Sequence, residues 1–201
     1  MRLTQISTVL VILAAPALAS AQIRSPGQHE HYNAELEPHL LLEWDAPATN
    51  CVDTGLGVGF RAAIPFLDNG PVPTINNNMA IGFGIDYAHY SANYCGFIFP
   101  GVVPQTSVNV WDFPVVVQWN FFFTSHISVF GEPGLYVQHW SWNYPTNIAC
   151  PNGAFCNSFS VSDTTVQPMI AGGARFLFTN NVSAMVRLGW PYISAGVGIW
   201  L

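Results

Sequence analysis

Residues 112–123 read Asp112-Phe113-Pro114-Val115-Val116-Val117-Gln118-Trp119-Asn120-Phe121-Phe122-Phe123. The odd positions are all large and apolar, whereas the even positions run Asp, Pro, Val, Gln, Asn and Phe. A period of two is that of a β-strand, whose successive side chains point to opposite faces. The uncharged stretch 113–131 also carries Pro114, Gln118, Asn120, Ser125, His126 and Ser128, so it does not read as a membrane-spanning helix.

The same alternation recurs on both sides of this stretch. Toward the N-terminus, Leu40, Leu42 and Trp44 oppose Glu43 and Asp45 on a strand of about 36–46. Val58, Phe60, Ile64 and Phe66 oppose Gly57, Gly59 and Arg61, and Ile81, Phe83, Ile85 and Tyr87 oppose Gly82, Gly84 and Asp86. Toward the C-terminus, Ile127, Val129, Leu135 and Val137 oppose Ser128, Glu132 and Gln138, and Val166, Ile170, Phe176 and Phe178 oppose Gln167, Gly173 and Arg175. Two further strands, at about 182–190 and 193–201, set Val186 and Leu188 against Arg187, then Val197 and Ile199 against Gly196 and Gly198. Eight strands are expected, in an all-β antiparallel meander.

Composition decides which face is inside. Of the 201 residues, half are hydrophobic and only 8% are charged, against roughly 25% in an ordinary soluble domain. There is no lysine, and five arginines face eleven carboxylates, which excludes a phosphate-backbone binder and with it nucleic acid. The less apolar face of the strands is rich in Gly, Ala and Ser instead of Lys, Glu and Thr, and it holds Glu43, Asp45, Arg61, Asp86, Asp112, Glu132, Arg175 and Arg187. Small residues suit a narrow interior. A polar lumen inside a broad apolar belt is the pattern of a transmembrane β-barrel, and eight strands make one just wide enough for side chains to fill. In a lipocalin-like soluble barrel the large residues would line the interior and the Gly, Ala and Arg face would meet water.

The flanks and connections fit an exported barrel. Arg2, the apolar run Val9–Leu18 and Ala19-Ser20-Ala21 read as a cleavable secretory signal over 1–21, followed by a polar segment 22–34 and a barrel domain 35–201. Thr124-Ser125 and Thr179–Asn181 are short turns, whereas the connections at about 47–55, 91–108 and 143–162 are long. Short turns face the periplasm and long loops the exterior in such barrels. The connection Asp68–Asn78 and the short Trp190-Pro191-Tyr192 depart from that pattern.

With its signal peptide, repeated alternation and terminal strand Tyr192–Leu201, the chain resembles the small eight-stranded outer-membrane barrels of the OmpA, OmpX and OmpW type. The resemblance covers about residues 35–201 and implies a Gram-negative outer membrane, lipid contact and recognition of the last strand by the barrel assembly machinery. Such strands often close on Phe, where this chain has Leu201 beside Trp200.

All four cysteines fall in the long connections, Cys51 in the first, Cys95 in the second, Cys150 and Cys156 in the third. Four cysteines allow three pairings, and proximity favours Cys150 with Cys156 and Cys51 with Cys95 in an oxidising compartment. Their spacing lacks a zinc-binding C-x2-C pair. His29-Glu30-His31 could bind a metal but lacks further ligands and reads as a flexible linker. His126, Ser128 and Glu132 have the residue types of the lipid A deacylases, yet they flank a periplasmic turn and point to the lumen. No cofactor, metal or catalytic role is expected. The expectation is a monomer whose outer loops support a structural or surface-interaction role, with a narrow channel as alternative.

Overall fold

The computed structural model describes residues 22–44, 54–92, 106–144, 148–149, 155–156 and 159–201. Among them, eight strands close a barrel: β1 (Glu35–Glu43), β2 (Gly55–Leu67), β3 (Asn77–Ala92), β4 (Thr106–Phe122), β5 (Ile127–Tyr144), β8 (Phe159–Leu177), β9 (Val182–Trp190) and β10 (Tyr192–Trp200). Each pairs antiparallel with the next in the chain, and β10 returns to β1 from Glu35 opposite Trp200 to Glu43 opposite Tyr192. Closure leaves no strand edge open. A two-stranded ladder, β6 (Ile148–Ala149) with β7 (Phe155–Cys156), lies within the connection from β5 to β8. No helix among the described residues is long and apolar enough to cross a membrane.

Burial is inverted relative to a water-soluble protein. In the stretch quoted above, Asp112, Pro114, Val116, Gln118, Asn120 and Phe122 are buried while Phe113 and Val115 are exposed. Leu40, Val166 and Ile170 expose more than 60% of their surface, whereas Arg61, Arg175 and Arg187 expose 2% or less. The expected assignment of faces therefore holds.

Glycine makes room for this interior. A Cβ on Gly59 would collide with the side chains of Asp86 and His39, and one on Gly198 with those of Ser183 and Glu35. These strands can approach the buried charges only because the inward position is empty.

Two expectations change. Strands β3, β4, β5 and β8 run 16 to 19 residues and extend into the connections expected at about 91–108 and 143–162, so Val108 is a buried wall residue and not a loop residue. The segment 22–34 is not a free linker: it packs across the turn end, with Tyr32 stacked on Trp200 at 4.3 Å and His29 on Phe122 at 4.4 Å. The long 68–76 connection joins this cap through Asn76 N–H to Ile23 C=O at 2.7 Å. The reason is physical: Phe122, Leu177 and Trp200 end their strands at the turn end, and Tyr32 completes a buried apolar cluster with them.

Candidate functional site

From the turn end upward, the lumen is a ladder of ion pairs carried by inward positions of different strands. Arg175 on β8 reaches Glu35 on β1 at 2.5 Å, Asn120 Oδ1 at 3.2 Å and Ser128 Oγ at 3.2 Å. Trp200 donates from Nε1 to the other Glu35 oxygen at 2.8 Å. The next rung is Arg187 on β9, which makes two bidentate pairs. Its Nη1 and Nη2 donate to Glu37 on β1 at 2.9 and 2.8 Å, and its Nε and Nη2 to Glu132 on β5 at 2.6 and 3.2 Å. Parallel N–H···O bonds of this kind fix geometry as well as charge. Since β1 and β5 lie opposite one another in the strand order, Arg187 ties wall to wall. The Phe130 ring sits 5.3 Å from both Arg175 and Arg187 and separates the two rungs.

Arg61 on β2 forms the third rung. It reaches Glu132 and Asp86 at 3.3 Å each and donates to the Tyr192 hydroxyl. Asp86 also meets His39 Nε2 at 3.0 Å. Every strand arginine is thus engaged by carboxylates from other strands, which is the condition for burying charge without an outright penalty. Above this level the interior turns apolar, with Leu41, Ala88, Tyr90, Val108, Val110, Tyr136 and Trp142 in one cluster. Glu43, Asp112 and Gln138 are buried there, and Gln138 donates to Glu43 at 3.4 Å. Among the described residues, the ion pairs and this cluster occupy the lumen from the turn end to the loop end.

No protein-family model and no curated protein matches the chain. Among solved structures it is similar to Ail, the attachment invasion locus protein of Yersinia pestis, crystallised with the heparin analogue sucrose octasulfate. The identity is 12% over 84% of this chain and 97% of that one, at a TM-score of 0.48. It is likewise similar to Neisserial surface protein A, at 13% identity over 84% and 97% with a TM-score of 0.48. The outer membrane protein OprG from Pseudomonas aeruginosa follows at 9% identity over 88% and 93%, with a TM-score of 0.47. These neighbours are small eight-stranded outer-membrane barrels, the group the sequence resembles.

The lumen charges named from the sequence pair selectively. Arg61 with Asp86, Arg61 with Glu132 and Arg187 with Glu132 do meet. Arg175 does not pair with Glu132: although adjacent strands carry them, Arg175 stands opposite Ser128 and Glu132 opposite Ala171, so Arg175 reaches across to Glu35 instead. Glu43 meets Gln138 and no arginine, because it lies at the loop end, beyond the rungs. Asp45 lies outside the described residues. Glu35, Glu37, His39 and Tyr192 belong to the network and were not among the expected residues. They continue by steps of two the faces of Glu43 and of Ser194, so the alternation itself carried the signal.

The three residues of the hydrolase pattern are not brought together. His126 is exposed in its turn, with Nδ1 3.1 Å from Leu177 O, and does not point into the lumen; Ser128 accepts from Arg175, and Glu132 is held by Arg61 and Arg187. Cys51, Cys95 and Cys150 lie outside the described residues, and of Cys156 the structure gives the backbone, opposite Ile148 in β7. In the cap, burial pushes the His29 pKa below its usual value and the Tyr32 phenol up to about 12.

Proposed function

We propose that this chain is an outer-membrane barrel with a structural or surface-interaction role, exercised by its long outer loops, and that it is neither a conduit nor an enzyme. The observation that carries this reading is the filled lumen. Arg61, Arg175 and Arg187 are buried and bonded from several walls, and displacing them for a solute would strand carboxylates. The lipid setting is supported by the outward belt of Leu40, Val58, Phe83, Val115, Val166, Ile170 and Leu188. All eight barrel strands have at least nine residues, long enough to cross a bilayer at a tilt. In this reading the chain is exported by residues 1–21, assembled by the barrel machinery as a monomer, and oriented with the 123–126 and 178–181 turns in the periplasm. Bridges Cys150–Cys156 and Cys51–Cys95 would stiffen the loops and lower the ordering cost of meeting a partner.

Conductance in planar bilayers tests the central point. Steady channels from the purified protein would replace this reading with the narrow channel; an electrically silent bilayer with the protein inserted is the expected result. Cell fractionation should place the protein with the outer membrane, and recovery as a detergent-free soluble protein would overturn the lipid setting. Val166→Arg, on the outward belt, should destabilise the barrel in lipid by about 2 to 4 kcal/mol if the position lies near the midplane.

A further inference from the structure

The ion-pair ladder makes no use of His29-Glu30-His31, although the cap holds this segment in place. His29 is buried, with its ring parallel to that of Phe122 and Nδ1 2.7 Å from Asn76 Oδ1. With Asn76 Oδ1 as the acceptor, Nδ1 carries the proton and Nε2 keeps its lone pair. That Nε2 is buried and has no hydrogen-bond partner. An acceptor left in this state costs free energy unless something binds to it.

A cavity of about 390 Å³ has Gln28, His29, Glu30, His31 and Trp200 in its lining. The His31 ring is 5.4 Å from that of His29, centre to centre, at 45°. Two imidazoles on one tetrahedral ion, each with a metal–nitrogen bond of about 2.0 to 2.1 Å, place their ring centres roughly 5 Å apart. The observed separation of the ring centres is close to that value. A metal-bound histidine typically donates its second ring N–H to a carbonyl or carboxylate, which is what His29 does toward Asn76.

We infer that the turn end of the barrel holds a site for a divalent transition metal, zinc or copper, bound by His29 Nε2 and the His31 imidazole, with Asn76 as the positioning residue. Imidazole suits both ions. Among the described residues no three His, Cys, Asp or Glu side chains converge on one point, so water fills the remaining coordination positions and the ion stays exchangeable.

The test uses the full chain without a histidine tag, folded in detergent and checked by its heat-dependent gel mobility. Titration with zinc chloride in a calorimeter should show one saturable equivalent. His31→Ala, which removes an exposed ring, should weaken binding at least tenfold and leave the gel shift intact. Asn76→Ala should weaken it about 10- to 100-fold, and His126→Ala, on a neighbouring turn, should leave it unchanged. With copper(II), the electron paramagnetic resonance spectrum should carry coupling from two imidazoles in the parent chain and from one in His31→Ala. No saturable binding, undiminished binding in His31→Ala, or loss in His126→Ala would each overturn the site.

Discussion

The middle of the lumen and its loop end solve the same packing problem in opposite ways. Around Glu132 the space is filled by ions: Arg61 and Arg187 both converge on that carboxylate, and Glu37 and Asp86 answer them from β1 and β3. A few residues further along the same strands, Leu41, Val110, Tyr136 and Trp142 pack as an apolar core. Tyr192 joins the two, since it belongs to the apolar cluster yet receives a hydrogen bond from Arg61. The difference teaches what an arginine needs. Its side chain can cross a narrow barrel, so it is buried at low cost only where carboxylates from other walls lie within reach and inward glycines leave it room. Where Glu43 and Asp112 stand at the loop end, no arginine follows, and hydrocarbon does the filling.

Replacing Arg187 should break this contrast most severely. Arg187→Met leaves both Glu37 and Glu132 short of their bidentate partner, at the upper end of the about 3 to 5 kcal/mol expected for a broken buried pair. Urea unfolding in lipid vesicles measures it. Adding Glu37→Gln should recover part of the loss, because a neutral amide is cheaper to bury than an unpaired carboxylate.

Arg175 should cost less, about 3 kcal/mol, since Glu35 keeps its hydrogen bond from Trp200. A double-mutant cycle of Arg175→Met with Glu35→Gln should show coupling, whereas the cycle with Glu132→Gln should be additive within about 0.5 kcal/mol. The reverse outcome would mean that Arg175 pairs with Glu132 on the neighbouring strand and not with Glu35. At the loop end, Leu41→Ala should cost about 2 to 3 kcal/mol by opening a cavity, and no change of charge elsewhere should rescue it.

These pairings also mark how far the sequence could be read. Period two located all eight barrel strands and sorted Arg61, Arg175, Arg187, Asp86 and Glu132 to the inside, because a strand has only two faces. It could not say which arginine meets which carboxylate. That depends on register and on distances across the lumen, and Arg175 illustrates it by passing over the neighbouring strand for Glu35. Glu35, Glu37 and His39 were legible in principle, being six, four and two residues before Leu41 on the same face; the start assigned at about 36 left Glu35 out. Val108 was hidden for another reason, since Pro104, Ser107 and Asn109 around it read as loop.

A third level, the cap, should give the smallest effect and thereby separate what holds the barrel from what merely covers it. Tyr32 stacks on Trp200 at 4.3 Å and lies in an apolar cluster with Phe122 and Leu177, but the strands it covers are already closed by the β1 and β10 pairing. Tyr32→Ala should therefore cost the barrel on the order of 1 kcal/mol, the scale of one aromatic pair, and act mainly by releasing residues 22–34. Trypsin can report this release with little background. The chain has no lysine, and Arg61, Arg175 and Arg187 are buried, which leaves exposed Arg24 as the cleavage site among the described residues. Its backbone is held by the turn from Ser25 N–H to Gln22 C=O at 3.0 Å and by Asn76 N–H to Ile23 C=O at 2.7 Å. A protease must draw out several residues in extended form, so cutting at Arg24 should follow cap opening. Cleavage should accelerate in Tyr32→Ala while the heat-dependent gel shift persists, and in Arg187→Met the gel shift should weaken first. Loss of the gel shift in Tyr32→Ala would mean that the cap, too, is part of what closes the barrel.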